Sequence, residues 1–336
     1  YDNADGQDYL VYKFGNKFFY TDKIQEVTLQ ELKYVGKPNL IIGALDFPAL
    51  SIHSGYDLCN GSGKYSDYCK KAKFLGISSI GICEENTLGG TLAFSESCKK
   101  SELKPIYGET IKILDEGGNY YNIKLYCKNF EGWRSLLAIN KLVNVDYKGH
   151  LPENLLFNQI KGLLCVLLPE SDLDVLYARY YANFAQDLYY AFDTSEWDSQ
   201  TREVAVLKNI QTYLTSYKDK LKPLLISDAY FLEANHSHIR GILNKIGGIG
   251  FKSVSKFQYF KTIDDYTLEF LDLFDSEDKA YNLMCECIEN TIEAFQDVKV
   301  NLLQGRFFLP EYEMSAEEKV YKTHKELFLH YIEEGF

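Results

Sequence analysis

Short apolar runs alternate with amphipathic stretches over most of this chain. From about residue 47, strand-like runs fall at 49–53, 77–83, 105–113, 120–127, 163–168, 187–193 and 223–227. Helical spacing of apolar residues fills 64–75, 88–100, 131–144, 171–184, 200–219 and 235–246. In the first of these, Tyr65, Cys69, Ala72 and Leu75 recur near helical spacing and Gly76 ends the element. Asp115-Glu-Gly-Gly-Asn119 reads as a hairpin turn between two of the strands. Elsewhere the alternation predicts parallel strands with helical crossovers, an α/β class. A barrel and an open doubly wound sheet both satisfy it. In either, chemistry belongs at the C-terminal ends of the strands.

The ends of the chain read differently. Residues 8–20 hold two aromatic runs around Gly15-Asn16, a hairpin signal. Thr28-Leu-Gln-Glu31 reads as a capping box, with Gly36 and Pro38 ending a short helix. After about 270 the chain turns helical and acidic. Arg306-Phe-Phe-Leu-Pro310 predicts an extended link, and Ser315-Ala-Glu-Glu318 a capping box before a last helix over 316–334.

Composition narrows the class. At 336 residues and 46% hydrophobic, the chain is long and apolar enough for one large barrel or two domains. The formal net charge is −12, so the surface as a whole repels nucleic acid. Eleven acidic residues stand against Lys279 alone between Asp264 and Asp297, which makes that segment a poor DNA-binding face. The modestly basic set Lys70, Lys71, Lys73, Lys99, Lys100 and Lys104 reads as solvated helix faces. The eight cysteines form no C-x-x-C pair and several sit in apolar runs such as Gly162-Leu-Leu-Cys-Val-Leu-Leu168, as buried thiols in a reducing compartment do. No apolar run is long enough to span a membrane and no signal peptide is visible, so a cytoplasmic protein is expected. The first residue is Tyr1 rather than Met, as expected of a fragment.

The strand ends carry the candidate chemistry. Leu50-Ser-Ile-His-Ser54 leads into Gly55-Tyr-Asp-Leu-Cys-Asn-Gly61. The next strand ends in Cys83-Glu-Glu-Asn-Thr-Leu-Gly-Gly90, and the third reads Lys104-Pro-Ile-Tyr-Gly-Glu-Thr110. Positions i and i+2 of a strand share a face, which pairs Ser51 with His53. In their spacing these segments resemble the PHP (polymerase and histidinol phosphatase) domain of bacterial DNA polymerase III alpha subunits. That family reads Phe-x-His-Leu-His-x-His-Ser, Thr-Asp-His-Gly-Asn-Leu and Lys-Pro-Ile-x-Gly-x-Glu at the same places. Leu125-Tyr-Cys-Lys-Asn-Phe-Glu-Gly-Trp-Arg-Ser-Leu-Leu137, Ile226-Ser-Asp-Ala-Tyr230, Asn290-Thr-Ile-Glu-Ala294 and Leu309-Pro-Glu311 extend the resemblance in order. It covers about 47–336 and leaves out 1–46.

The resemblance implies a pocket that gathers His and carboxylate ligands around two or three metals, which polarise a phosphoester and activate water. Carried over by position, most of those ligands are missing. His53 is kept beside Ser51. Asn60 replaces an Asp, Glu84-Glu85 replace an Asp-His pair, and Thr110 replaces a Glu, with Glu109 displaced by one residue. Asn122 stands for a His, Pro169 for a Cys or His, and Tyr230 for a His two residues after the retained Asp228. His53 and Asp228 are thus the remnant metal ligands. A hydrolytic site needs three or more protein ligands and an open position. The alternative is a rebuilt oxygen-rich site in which Glu84, Glu85, Glu109 and Asp228 surround His53 and hold Mg²⁺ or Mn²⁺. Against it, adjacent residues at a strand end point apart. Asn235-His-Ser-His238 opens a predicted helix, where i and i+2 do not share a face, and reads as a cap.

The expected fold is therefore a distorted (β/α)7-type PHP barrel with a small N-terminal β-hairpin extension and a C-terminal helical segment leading to a polymerase palm. The expected divisions are 1–46, 47–270 and 271–336. The expected function is that of a non-catalytic module of a replicative polymerase, with no cofactor of its own and Mg²⁺ serving the full enzyme. Its expected partners are the palm and thumb of the same polymerase, and replisome subunits and DNA through the full-length protein. The alternatives are a metal-dependent phosphoesterase acting as a 3′–5′ proofreading exonuclease, and a stand-alone small-molecule phosphatase.

Overall fold

A computed structural model describes residues 11–14, 17–20, 26–27, 46–193, 208–248, 255–274, 276–302 and 312–335. Near the N-terminus, β1 (Val11–Phe14), β2 (Lys17–Tyr20) and β3 (Glu26–Val27) form a small antiparallel sheet. Phe14 pairs with Lys17, so the hairpin predicted around Gly15-Asn16 forms. The capping box at 28–31 and the link at 306–310 lie outside the described residues.

The seven predicted strands are all present: β4 (Ala49–Ile52), β5 (Ser79–Glu85), β6 (Lys104–Leu114), β7 (Tyr120–Cys127), β9 (Leu163–Leu167), β10 (Leu188–Phe192) and β11 (Pro223–Leu225). A two-residue β8 (Leu151–Pro152) pairs with β6. Their order is β11-β10-β9-β7-β6-β5-β4. All neighbours run parallel except β7, which is antiparallel to both β6 and β9. The inversion comes from the predicted hairpin. Asp115 accepts the Asn119 amide at 2.7 Å, and Gly118 takes φ +83°, a conformation that favours glycine.

The two edges of the sheet meet. Ile52 bridges Ala229, the His53 amide donates to the Ala229 carbonyl at 3.0 Å, and the Ala229 amide donates to the Ser51 carbonyl at 3.0 Å. This contact curls the sheet into a barrel and leaves a seam between β4 and the segment after β11. The interior holds Leu50, Cys83, Ile106, Tyr126, Leu164, Val166, Ala191, Leu224 and Ile226. The opposite face packs under helices α1 (Tyr65–Phe74), α2 (Thr91–Ser101), α3 (Phe130–Lys141) and α4 (Leu173–Phe184) in a second, larger core.

Three longer helices of this unit follow β11: α5 (Ser237–Ile246), α6 (Ile263–Leu273) and α7 (Glu277–Phe295). α7, expected in the helical linker, is tied to β11. Thr291 Oγ1 accepts the Leu225 amide at 2.8 Å, and Asn290 Nδ2 donates to the Pro223 carbonyl at 3.1 Å. These are the side chains of the Asn290-Thr291 segment. Phe295, at the end of α7, lies edge-on to Tyr126 among the interior residues, and Lys104 Nζ donates to its carbonyl at 2.8 Å.

The chain divides into two compact units, 1–302 and 303–336. In the second, the helix predicted over 316–334 begins later, as α8 (His324–Glu334). The Ser315–Glu318 box forms, with the Ser315 amide donating to Glu318 at 2.8 Å, but it closes only a single turn of 3₁₀ helix. Thr323 is the working cap, accepting the Glu326 amide. In the barrel, the helix predicted to 144 stops at Lys141 and continues as a wider π turn, Leu142–Asp146.

Close approach explains one glycine of the Asn129-Phe-Glu-Gly132 segment. A Cβ on Gly132 would sit 2.0 Å from the Gly162 carbonyl, and Gly162 itself takes φ +67°. Gly132→Ala is expected to lever α3 away from the start of β9 and cost about 1–3 kcal/mol, read as a lowered midpoint in urea unfolding. An unchanged midpoint would show that the loop yields freely.

Candidate functional site

The pocket forms where β4, β5, β6 and β11 end. β4 contains a bulge: its register against β5 shifts between Ala49 and Ile52, and Ser51 takes φ +67°, rare for a residue with a Cβ. The bulge turns Leu50 into the interior core and still brings Ser51 and His53 to one point. That point is Asp228. Its Oδ1 accepts from Ser51 Oγ at 2.5 Å, faces His53 Nε2 at 2.9 Å and accepts from Lys124 Nζ at 2.7 Å. His53 Nδ1 meets Asp57 at 2.7 Å, and its ring stacks on Tyr230 with centroids 4.0 Å apart. Arg240 lies over the same Tyr230 ring at 3.3 Å.

Lys124 enters from β7. It is 1% exposed, and beyond Asp228 it donates to Thr110 Oγ1 at 3.1 Å; Thr110 in turn donates to the Cys83 carbonyl at 2.8 Å. No ligand position of the sequence comparison pointed to it. A signal was available: Asn122, two residues earlier on the same strand, had been matched to a ligand position, and i and i+2 share a face.

The other candidates separate by strand parity. Glu84 shares a face with Ile80 and Ile82, and Glu109 with Tyr107 and Ile111, all in the helix-side core. Glu84 Oε1 accepts from Ser54 Oγ at 2.6 Å and Tyr65 OH at 2.7 Å. Glu109 Oε1 accepts from Asn140 of α3 at 2.5 Å. Glu85 turns the other way, where Tyr230 OH donates to it at 3.0 Å. Asn60 donates to Asp57 at 3.0 Å. Pro169 lies beyond β9, its carbonyl taken by Asn209. His236 and His238 belong to a turn and helix start, with His238 Nδ1 at 3.0 Å from the Asn235 carbonyl. The tetrad of Glu84, Glu85, Glu109 and Asp228 around His53 is therefore not assembled: two of its carboxylates face the helices.

The electrostatics follow from this wiring. Burial would lower the His53 pKa, but Asp228 and Asp57 outweigh it and hold the imidazole at about 9. Burial would raise Asp228, but Lys124 and His53 keep it well below the usual carboxylate range. Burial would lower the Lys124 pKa, but Asp228 outweighs it and keeps the ammonium charged. Burial pushes the Glu109 carboxyl up to about 8, with only Asn140 opposing.

Among the described residues, no three His, Cys, Asp or Glu side chains are grouped so as to hold a metal ion. The side chains present do not fit a hydrolytic metal centre, because the Asp228 oxygen already carries three donors and one of them is a buried ammonium.

Residues 49–237 match the PHP domain family. The chain belongs to that family. It is similar to DNA polymerase III alpha subunits: 23% identical over 81% of its length to that of Treponema pallidum, 22% over 84% to that of Aquifex aeolicus, and 31% over 35% to that of Borreliella burgdorferi. It spans about a quarter of the Treponema and Aquifex proteins, 25% and 27%. Among solved structures it resembles a two-domain protein from Bacteroides vulgatus containing a predicted PHP-like metal-dependent phosphoesterase. That match has 13% identity and a TM-score of 0.36 over 58% of this chain and 57% of the other. No helix among the described residues is long and apolar enough to cross a membrane.

Proposed function

We propose that this chain is the PHP module of a replicative DNA polymerase of the polymerase III alpha kind, and that its pocket is structural rather than hydrolytic. The observation that carries this is the Lys124 ammonium seated 2.7 Å from Asp228, where a catalytic metal would need open carboxylate. Around it, Glu85 approaches through Tyr230, Asp193 through the Asp228 amide, and Glu170 acts on Lys124 through space. Among the described residues, a phosphodiester entering this mouth meets the carboxylates of Glu85, Asp193 and Glu170, which are of its own sign, while the Lys124 ammonium is already paired with Asp228. DNA-directed synthesis belongs to the longer protein, whose palm carboxylates hold Mg²⁺ for nucleotidyl transfer. This module braces that palm and the thumb, reaches DNA and replisome subunits through them, and works in the cytoplasm.

The test is direct. The purified chain, given 3′-labelled single-stranded DNA with Mg²⁺, Mn²⁺ or Zn²⁺, is expected to release no nucleotide above the blank, and His53→Ala is expected to behave identically. Metal-dependent cleavage that His53→Ala abolishes would replace this reading with the proofreading phosphoesterase. A natural coding sequence that stops directly after Phe336 would remove the polymerase part.

A further inference from the structure

The sheet order places β7 three strands from β4 and three from β11, so Lys124 stands on the wall opposite the seam. The seam itself is short. Among the described residues one bridge, Ile52 to Ala229, and two backbone hydrogen bonds flank the strained Ser51; beyond them the Ser62 amide donates to the Tyr230 carbonyl at 2.9 Å and the Tyr68 hydroxyl reaches the carbonyls of His53 and Ala229. Asp228 lies beside that bridge and receives side chains from both sides: Ser51 and His53 from the end of β4, and Lys124 from across the mouth. Ser51 is pinned twice, through its hydroxyl on Asp228 and its carbonyl on the Ala229 amide.

We propose that Lys124 is a built-in cation that clamps the barrel seam to its opposite wall, taking over the tying role that a metal ion at this mouth would otherwise serve. The proposal rests on the reading of the pocket as non-hydrolytic and adds a mechanical role to it. A metal ion draws ligands from separate strands to one positive centre; here the centre is covalently attached to β7, so it cannot dissociate. Its stem runs through the interior face of the strand, and Thr110 steadies the head. The closed barrel therefore needs neither divalent cation nor any ligand to keep its edges together. The strain at Ser51 is tolerated because the clamp and the backbone bridge hold that residue from two directions.

Thermal unfolding and amide hydrogen exchange of the whole chain test this. The wild-type melting temperature is expected to be the same in EDTA and in added Mn²⁺ or Zn²⁺. Lys124→Met, which keeps the stem and removes the charge, is expected to lower it by on the order of 10 °C. Asp228→Asn in the same chain is expected to restore part of that loss, since the carboxylate that has lost its ammonium partner goes with it. The distinguishing readout is local. In Lys124→Met, the His53 and Ala229 amides are expected to exchange about tenfold faster, beyond any change in the β5–β6 ladder. If Lys124→Met does not fold, Thr110→Val, which removes only the steadying bond, is expected to show the same local pattern at smaller size. Seam amides unchanged, or all ladders loosened alike, with no chelator effect, would overturn the clamp alone. A melting temperature that falls in EDTA would overturn the clamp and the non-hydrolytic reading together.

Discussion

Asp228→Ala is expected to remove about 3–5 kcal/mol of folding stability. The substitution leaves Lys124, 1% exposed, with Thr110 as its neutral partner, and takes from His53 one of its two carboxylates. A buried pair broken on one side costs more than the pair contributes when intact, because the remaining charge stays desolvated. Asp228→Asn separates the two components of the loss. It keeps an oxygen in place for Ser51, His53 and Lys124 but not the charge, so it is expected to fall between wild type and Asp228→Ala. Urea unfolding near neutral pH measures both. Because Asp228 is held below its ordinary range, its contribution is full above that range and is lost progressively as pH falls below it toward the depressed value. The difference between wild type and Asp228→Ala should accordingly narrow in acid. A loss under about 1 kcal/mol for Asp228→Ala would mean that its donors are solvated rather than buried.

The same cluster shows what the sequence could and could not reveal. The seven longer strands of the barrel were legible, because each buried run is bounded by turn residues and most alternate with a helical period; the two-residue β8 was not. The hairpin that inverts β7 was legible from Asp115 and its glycines. The bulge at Ser51 was not. Nothing in Leu50-Ser-Ile-His-Ser54 distinguishes a regular strand from one in which Ser51 adopts φ +67°, since closure of the sheet, a long-range event, imposes it. Ser51 and His53 were nonetheless paired correctly by their spacing, and both reach Asp228. Glu109 shows how steep parity is. One residue from the family's position, it falls on the helix side of β6, while Thr110 takes the inward place. Lys124 went unread for a different reason. Comparison by family position asks which ligands are missing, and a cation that takes over their counter-charge occupies none of those positions. Its flanks, Ile123 and Leu125, both fully buried, mark it as a charge in a core strand that must find a partner.

Stability is expected to fall as pH rises from about 5 to about 8, and Glu109→Gln is expected to remove the largest part of that fall. Glu109 is fully buried, one of its oxygens has no partner, and burial holds its proton until about pH 8. The sign follows from proton counting. Between the ordinary carboxyl value of 4.5 and about 8, the folded chain keeps a proton that the unfolded chain has released. Stability is therefore full below the lower value and declines through the interval. The whole interval is worth on the order of 5 kcal/mol. Glu84, also raised by burial despite its bonds to Ser54 and Tyr65, adds in the same direction. His53 acts later. Its raised value of about 9 means that its ion pairs contribute fully below 6.5 and fade as pH climbs through 9. Glutamine keeps the Asn140 contact and cannot ionise, so Glu109→Gln should match wild type near pH 5 and exceed it by several kcal/mol near pH 8. Urea midpoints at these two conditions decide the matter. Equal slopes in the two proteins would show that Glu109 is already ionised at neutral pH, and that α3 opens far enough over β6 to let water reach it.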